Sequence, residues 1–365
     1  MNPLESFKRL NDPRKDTATK WYSLELIIFQ TLSAVISGAE TWVDVSEFGK
    51  EKREWMRQFV SVPDVTPSHD TIGDFFKRLN AKVFSECFLR WTQQVCGVTH
   101  GELIVLDGKT MRGSHDKRIG KSAIHMISAW ASNNKLVLAQ RKVNDKSNEI
   151  TAIPELLELL EIKGGIVSID AMGCQREIAK QIRQQEADYI LALKTNQPEL
   201  HQQVADAFRF QKPTSEKGTI EKSHGRIEQR VCSIINNPKD IEDAPKWKDL
   251  KSIIRVTRQR EETASAAKSA ETKYYISSLI ESAPFFIEKI RSHWTIENQL
   301  HWVLDVTFKE DHSRVRTGFA DQNFAIIRHT AINLLRLDKT PKVSLRNKRN
   351  KAAWNDDFRK KLLRI

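Results

Sequence analysis

The sequence predicts an α/β protein in which an all-helical N-terminal domain precedes a mixed sheet with a β-rich insertion. Residues 1–97 place apolar side chains at helical spacing. Short apolar strands alternate with helices from residue 98, and three further strand-like segments interrupt that alternation at about 211–282. We therefore divide the chain into a helical domain at 1–97, an α/β domain at 98–340 and a basic tail at 341–365.

The N-terminal segments are predicted to be amphipathic helices. The segment WYSLELIIFQTLSAVISGAETW has helical apolar spacing, and SVPDVTPSHDTIGDFFKRLN contains Ser68 as the cap of a further helix. That short helix carries Lys77 and Arg78, so it is a candidate contact for nucleic acid. A helical unit of this kind is more often a packing domain.

The α/β domain begins with the order β-β-β-α-β-α-β-α. Its strands are ELIVLDG, AIHMISAWAS, KLVLAQRKV, GGIVSIDA and DYILALK, and its helices are ITAIPELLELLEI, CQREIAKQIRQQEA and NQPELHQQVADAFRF. Three hairpin-linked strands followed by a helix and a parallel strand begin a ribonuclease H-like mixed sheet. In that sheet the first and fourth strands are neighbours.

The β-rich insertion contains the strand-like segments IEQRVCSII, LKSIIRVTRQR and TKYYISSL. The segment REETASAAKSAET, between the last two, is predicted to be a polar loop. After the insertion, APFFIEKIRSHWTIENQLHWVLDV is predicted to be one long helix that begins at Pro284. A second helix is predicted in FADQNFAIIRHTAINLLRL.

Two carboxylates follow neighbouring strands of the predicted sheet. Asp107 ends the first strand and Asp170 ends the fourth. Because ligand sites in open α/β sheets lie at the carboxyl ends of the strands, we expect these two acids side by side. Like charges that close repel each other, and a divalent metal ion relieves the repulsion. Taken singly, Asp107 is also a candidate turn residue and Asp170 a candidate helix cap.

Glu297 is the predicted third acid. At about 100° per residue it lies within about 20° of Leu304, in the centre of the helix face that is expected to be buried. A buried carboxylate needs a positive partner, either an Arg or a metal ion. The competing third acids are Asp305, about 80° from that face, and Glu310 and Asp311, which follow the predicted end of the helix.

The charge balance indicates a polyanionic partner, with nucleic acid as the first candidate. The net charge is +12, and eleven Lys or Arg against three Asp follow Leu335. The tail is therefore either a phosphate-binding arm or a solvated, disordered end. The candidate phosphate contacts are Lys109, Arg112, Lys194, His224, Arg226 and Arg230 near the sheet, and Arg346, Lys348 and Arg349 in the tail.

Cysteine usage and hydropathy indicate a cytoplasmic protein. The four cysteines form no C-x-x-C pair, which argues against a zinc site or a disulfide framework and fits a reducing compartment. The N-terminus lacks the apolar segment of a signal peptide. No run of about eighteen apolar residues occurs, so no membrane span is expected. No glycine-rich phosphate loop occurs either, so nucleotide-driven chemistry is not indicated.

Several motifs, in their order along the chain, resemble those of the H-repeat-associated proteins of bacterial Rhs elements, a branch of the DDE transposases. SGAETWVDVSEFG and PSHDTIGDFFKRL resemble the associated N-terminal domain of that family. Successive blocks of its catalytic domain are matched by VLDGKTMRGS, SIDAMGCQ, LKTNQPEL, HGRIEQR and HWTIENQLHWVLDVTFKEDHSR. The resemblance runs nearly end to end, and it implies a ribonuclease H-like core with a β insertion before the last acid.

The resemblance also implies a catalytic triad of Asp107, Asp170 and Glu297 that holds divalent metal, Mg²⁺ or Mn²⁺, with two ions expected. The implied partner is double-stranded DNA, both as element ends and as target. Joining two ends would require a homodimer or a higher assembly on the DNA.

The residues around the third acid depart from the pattern of related transposases. Those proteins often carry Tyr, Arg and Lys there, whereas here Ile290 and His293 stand at the Tyr and Arg positions and Leu304 stands near the Lys position. The expected activity is DNA transposition, by phosphodiester hydrolysis at element ends and strand transfer into target DNA. Two alternatives stay open: a nuclease of the same fold without strand transfer, and a catalytically decayed protein that binds DNA.

Overall fold

The computed structural model describes residues 2–14, 21–97, 100–116, 120–143, 149–223, 226–262 and 268–365. Within them, helices cover both faces of one large mixed sheet, so that the structure is mixed α/β, as predicted. No helix in this part of the chain combines the length and the apolar character needed to cross a membrane.

The described N-terminal region is built from helices. They are α1 (Pro3–Phe7), α2 (Leu24–Ile36), α3 (Trp42–Glu51), α4 (Arg53–Met56), α5 (His69–Arg78) and α6 (Ala81–Val95). The Ser68 hydroxyl accepts the backbone N–H of Thr71 at 3.3 Å, which confirms the predicted cap of α5. Helix α2 is buried along nearly its whole length, which explains its almost uniformly apolar sequence.

The N-terminal helices share one hydrophobic core with the rest of the chain. Helix α12 (Ala320–Leu337) lies against α2, α5 and α6, and Phe324 of α12 belongs to the same buried cluster as Phe29 of α2 and Val105 of the sheet. The Asn323 side-chain amide donates to the carbonyls of Phe76 and Leu79, each at 2.8 Å. A continuous core therefore crosses the predicted domain boundary at residue 97.

The sheet has nine strands in the order β3-β2-β1-β4-β5-β9-β8-β7-β6. The strands β1, β4 and β5 are parallel, and all other neighbours are antiparallel. The predicted adjacency of the first and fourth strands is thus confirmed. The strands are β1 (Leu103–Thr110), β2 (His125–Ala131), β3 (Leu136–Lys142), β4 (Ile166–Ile169), β5 (Asp188–Leu193), β6 (Ser215–Ser223), β7 (Arg226–Asn236), β8 (Ser252–Glu262) and β9 (Lys268–Ser277).

The insertion extends the central sheet instead of forming a separate unit, because β9 pairs with β5. Two details differ from the sequence analysis. Strand β6 was not predicted, since its polar sequence SEKGTIEKS lacks apolar alternation. The predicted loop at 260–272 contributes to β8 and β9, which pair as far as Glu261 and Lys268, and 263–267 lie outside the described residues.

Alternating side chains along β1 divide the core into two layers. Leu103 and Val105 face the layer of N-terminal helices, α12 and α10 (Ala283–His293). Ile104 and Leu106 face the opposite layer, which contains the three crossover helices. Those helices are α7 (Glu149–Leu159), α8 (Arg176–Gln184) and α9 (Pro198–Phe210).

The helix after the insertion is not continuous, which corrects the prediction of one long helix. Helix α10 ends at His293, a π-helical turn spans Glu297–His301, and α11 covers Trp302–Val306. A π-helical turn changes the angular position of every residue that follows it, and such turns are frequent at functional sites.

The basic tail is folded, which corrects the alternative of a solvated, disordered end. It forms α13 (Leu345–Trp354) and α14 (Asp356–Leu363). The buried Lys348 ammonium donates to the Leu335 carbonyl at 2.9 Å. Buried Arg349 donates to the Val35 carbonyl through Nε and Nη2 at 3.1 and 3.0 Å. These two cations therefore serve the fold and do not contact phosphate, whereas Arg346 is exposed.

Replacing Arg349 should destabilise the protein. In R349M the carbonyls of Val35, Ala39 and Thr307 lose the guanidinium as a donor, at a cost of about 1–3 kcal/mol in the free energy of unfolding. The matched variant R346M changes an exposed arginine of the same helix and should stay within about 0.5 kcal/mol of the parent. Urea denaturation measures both, and equal stabilities would contradict the structural role of Arg349.

Candidate active site

The pairing of β1 with β4 brings Asp107 and Asp170 together. These strands are parallel, and the last paired residues are Leu106 and Ile169, so each acid is the next residue along its strand. Strand β1 continues through Asp107 to Thr110 by pairing with β2, whereas the sequence analysis ended it at Asp107. The predicted neighbourhood of the two acids at the carboxyl ends of parallel strands is therefore present.

Glu297 and His301 meet Asp107 from the π-helical turn. His301 Nδ1 lies 3.3 Å from a Glu297 carboxylate oxygen and 3.7 Å from Asp107 Oδ2. One ligand atom from each of the three residues can be chosen so that all lie within 4.8 Å of one another. Among the predicted third acids, Glu297 is thus the one that joins Asp107.

The surroundings of Glu297 differ from the expected buried face. Its side chain is 52% exposed, and the buried residues of this turn are Leu300 and His301. The interruption after His293 makes a constant angle of 100° per residue inapplicable here. His301 joins this group although it is not among the site residues predicted from the sequence; its position four residues after Glu297 was a usable signal.

Burial and crowding perturb the acids of this centre. Burial raises the pKa of Asp107 to about 7; the charges of Glu297 and Asp170 act in the same direction and His301 opposes them. Burial, and then the charge of Glu149, raise the pKa of Asp170. The hydrogen bond with His301 holds the pKa of Glu297 below its usual range. Negative charge at this edge of the sheet is therefore only partly compensated.

Asp170 lies beside Asp107 and also caps the turn that follows β4. The two interpretations given for it, an acid at the strand end and a cap, are therefore compatible. Its Oδ1 accepts the backbone N–H of Met172 at 3.1 Å at the start of the short turn Ala171–Gly173. This hydrogen bond fixes the side chain next to β4. Asp170 is not a member of the three-residue group formed by Asp107, Glu297 and His301.

The donor set fits a divalent cation. Carboxylate oxygens suit Mg²⁺ and Mn²⁺, and an imidazole nitrogen suits Mn²⁺ better than Mg²⁺. His301 is buried, and its Nε2 has no hydrogen-bond partner among the described residues. A cation between Asp107 and Glu297 would also compensate the charge that raises the pKa of Asp107.

The competing acids gather around Lys109. Its ammonium lies 2.7 Å from Asp305, 3.1 Å from Glu310 and 3.3 Å from Asp311. Lys109 is only 11% exposed, so these carboxylates, and not phosphate, neutralise it; this corrects the predicted phosphate contact. The network also ties β1, two residues beyond Asp107, to the end of α11.

The other predicted cations have different positions. Arg112 is 85% exposed and lies next to Asp311, and exposed Lys194 follows β5 close enough to lower the pKa of Asp170. Arg226 and Arg230 lie on one face of β7, as their spacing of four predicts. His224 lies outside the described residues.

A groove of about 430 Å³ runs from Glu297 between the insertion and α10. Arg230 pairs in register with Arg258, and Lys273 and Arg291 complete its cationic lining. Burial, and then the charge of the neighbouring Arg291, lower the pKa of Arg230. Each of the four cations also has a carboxylate partner: Glu221 for Arg230 and Arg291, Glu228 for Arg230 and Arg258, and Glu271 for Lys273. Sequence analysis missed all but Arg230, because strand register and helix docking bring the four together.

The fold and the site define a mixed α/β protein with a carboxylate centre, suited to divalent metal, at the ends of parallel strands. Residues 99–334 match the family described as "Transposase DDE domain", and residues 4–92 match the one described as "DDE_Tnp_1-associated". The chain belongs to this transposase family, as the motifs indicated.

Two relatives match over nearly the whole of both chains. The chain is 41% identical to "Putative transposase YncI" of Escherichia coli O157:H7, over 94% of this chain and 89% of that protein. It is 40% identical to "H repeat-associated putative transposase YhhI" of Escherichia coli K12, over 92% and 91%. Among solved structures, it is similar to the piggyBac transposase in a synaptic complex with hairpin DNA, with 12% identity, a TM-score of 0.45 and coverage of 99% and 76%.

Lowering the pH should destabilise the protein through His293. Its buried imidazole lies 2.9 Å from the Ser168 hydroxyl, and burial lowers its pKa to about 4. The unfolded chain takes up this proton near pH 6.5. The contribution of neutral His293 to the free energy of unfolding is therefore complete above pH 6.5 and is lost as the pH falls towards 4.

In H293N the free energy of unfolding should fall less steeply across that pH window, by up to about 1.4 kcal/mol per pH unit. Urea denaturation at a series of pH values measures the slope. The exposed His69 supplies the control H69N, which should keep the parent slope. A parent-like slope in H293N would show that His293 is not held neutral.

Proposed function

We propose that this protein is a DNA transposase whose acids Asp107, Asp170 and Glu297 hold divalent cations and act on phosphodiester bonds. The observation that supports the proposal is the convergence of Asp107 with Glu297 and His301, next to Asp170 at the neighbouring strand end. In this proposal the protein hydrolyses the bond at an element end and joins the new 3′-hydroxyl to target DNA.

The residues of the centre have separate tasks in this reaction. When bound, Mg²⁺ or Mn²⁺ activates the attacking oxygen and stabilises the leaving oxygen. Asp107 and Asp170 supply ligands from rigid strand ends, and Glu297 supplies one from the π-helical turn. His301 holds the Glu297 carboxylate towards Asp107 through its contact at 3.3 Å. Protein groups thus preorganise the ligands before DNA binds.

The cations around the centre are suited to the DNA backbone. Arg112 is exposed next to Asp311 and Lys194 is exposed next to Asp170. The groove next to Glu297 is lined by Arg230, Arg258, Lys273 and Arg291, whose carboxylate partners would have to be exchanged for phosphate. Contacts of this kind bind phosphate without reading sequence. In this proposal the groove holds the duplex while the acids reach the scissile phosphate, and two or more protomers join a pair of ends.

A decayed DNA-binding protein is the second candidate, and one observation favours it. Ile290, His293 and Leu304, which replace the polar residues of related transposases, are buried and cannot contact phosphate. Arg291 and Lys273 are the nearby cations that could take over that contact. Cleavage assays separate the two candidates.

Substitution of Asp107 should abolish cleavage. Purified protein with Mg²⁺ or Mn²⁺ should nick DNA that carries its own element ends and should yield joined products with a target. D107N and E297Q should each lower the rate by roughly 100-fold or more, because an electrostatic contact to the transition state is lost. E288Q, at an exposed Glu of α10, is the matched control and should retain the parent rate.

Each alternative has its own signature in this assay. Equal nicking by D107N would place the chemistry elsewhere. DNA binding without cleavage in either metal would identify a decayed protein. Nicked DNA that never yields joined products would identify a nuclease without strand transfer.

Arg291 should contribute to DNA binding whatever the sequence of the duplex. R291A should weaken binding uniformly and lower the slope of log K against log salt concentration by about 0.9 if one phosphate contact is lost. K180A, on the exposed surface of α8 in the opposite layer, is the control and should leave the slope unchanged. Fluorescence anisotropy over a salt series measures both, and a parent-like slope in R291A would remove Arg291 from the interface.

A further inference from the structure

A histidine–glutamate pair lies beside the centre and has no part in the function proposed so far. His125 opens β2 and Glu149 opens α7, and His125 Nε2 lies 2.5 Å from Glu149 Oε1. The other imidazole nitrogen, Nδ1, lies 2.9 Å from the Thr110 hydroxyl. The imidazole is therefore held from both sides, and it fixes one oxygen of the Glu149 carboxylate.

The pair packs against the residue that follows Asp107. A methyl group on Gly108 would lie 2.1 Å from Glu149 Oε1 and 2.4 Å from His125 Nε2. Only a glycine at this position lets both side chains approach β1 so closely. Glu149 thus reaches the strand end that carries Asp107, from the layer of the crossover helices.

The helix that Glu149 opens also lies next to Asp170. Helix α7 packs against the turn Ala171–Gly173, which Asp170 caps, so closely that a methyl group on Gly173 would lie 2.9 Å from Ile153 Cδ1. Asp170 lies outside the group of Asp107, Glu297 and His301. At this edge of the sheet, Glu297 and His301 therefore approach Asp107 from the π-helical turn, whereas Glu149 and Asp170 lie where α7 meets the turn Ala171–Gly173.

We propose that Glu149 is a fourth carboxylate of the metal centre, which holds the second divalent ion together with Asp170, and that His125 is the positioning residue for it. This inference rests on the proposed function. Three observations support it. The Glu149 side chain is 16% exposed and thus remains accessible. A carboxylate that gives one oxygen to an imidazole keeps acceptor capacity on the other. Metal ligands are commonly oriented by such hydrogen bonds.

Manganese binding to the full-length chain tests this inference without an activity assay. Electron paramagnetic resonance of the parent protein titrated with Mn²⁺ should show two ions with spin coupling between them. E149Q should lose the coupling and bind the second ion at least about tenfold more weakly. The control E155Q changes a half-exposed Glu of the same helix and should keep both ions.

Further variants keep the test decisive. H125Q leaves the carboxylate in place but frees it, and it should weaken the second ion by roughly 10- to 100-fold with the first unchanged. This variant also decides the matter if E149Q does not fold. Parent-like binding of two ions by the folded variants, or a single ion in the parent, would overturn the inference.

The variant D107N separates this inference from the function on which it rests. If D107N binds two ions like the parent, the proposed centre is misplaced. If D107N loses metal while E149Q and H125Q keep both ions, the centre stands and only the role of Glu149 fails.

Discussion

The parallel pairing of β1 with β4 is the constraint on which the rest of the structure depends. Its register ends at Leu106 and Ile169, so the chain places two carboxylates at one sheet edge with no freedom to separate. Burial there disfavours charge, which raises the pKa of both Asp107 and Asp170. A fold that keeps such an arrangement stores an electrostatic cost at one point, and a divalent cation is the simplest compensation for it.

The third acid depends on two further features of the same edge. The π-helical segment Glu297–His301 directs the side chains of Glu297 and His301 towards Asp107, whereas α10 and α11 use other residues to pack against the core. The Lys109 ammonium then ties β1 to Asp305 and its neighbours at the end of α11. Because Lys109 lies two residues from Asp107 on the same face of the strand, this network limits how far the turn can move from the strand that it must meet.

The central strands and the adjacent positions of Asp107 and Asp170 could be predicted because both follow from local signals. Apolar strands alternate with helices, and an acid follows each of two strands that share an edge. The prediction that Glu297 lies on a buried helix face was wrong because helical spacing does not reveal a π-helical turn. The phosphate contacts predicted for Lys348 and Arg349 were wrong because a basic segment has the same composition whether its cations face water or donate to buried carbonyls. Strand β6 was missed because an exposed polar strand lacks the apolar alternation that marks a half-buried one.

The cationic groove shows how the chain can lack the usual polar residues around its third acid and still present positive charge there. Ile290 and Leu304 are used for packing, whereas Arg230 and Arg258 approach from paired strands of the insertion and Lys273 from the next strand. The insertion extends the sheet that carries Asp107 and Asp170, so strand register fixes where these cations lie relative to those two acids, whereas Glu297 approaches from the π-helical turn. Arg230, Arg258 and Lys273 therefore belong to the same nine-stranded sheet as Asp107 and Asp170, and their carboxylate partners Glu221, Glu228 and Glu271 lie on strands of that sheet as well. The fold thus fixes the positions of these charges before any ligand binds.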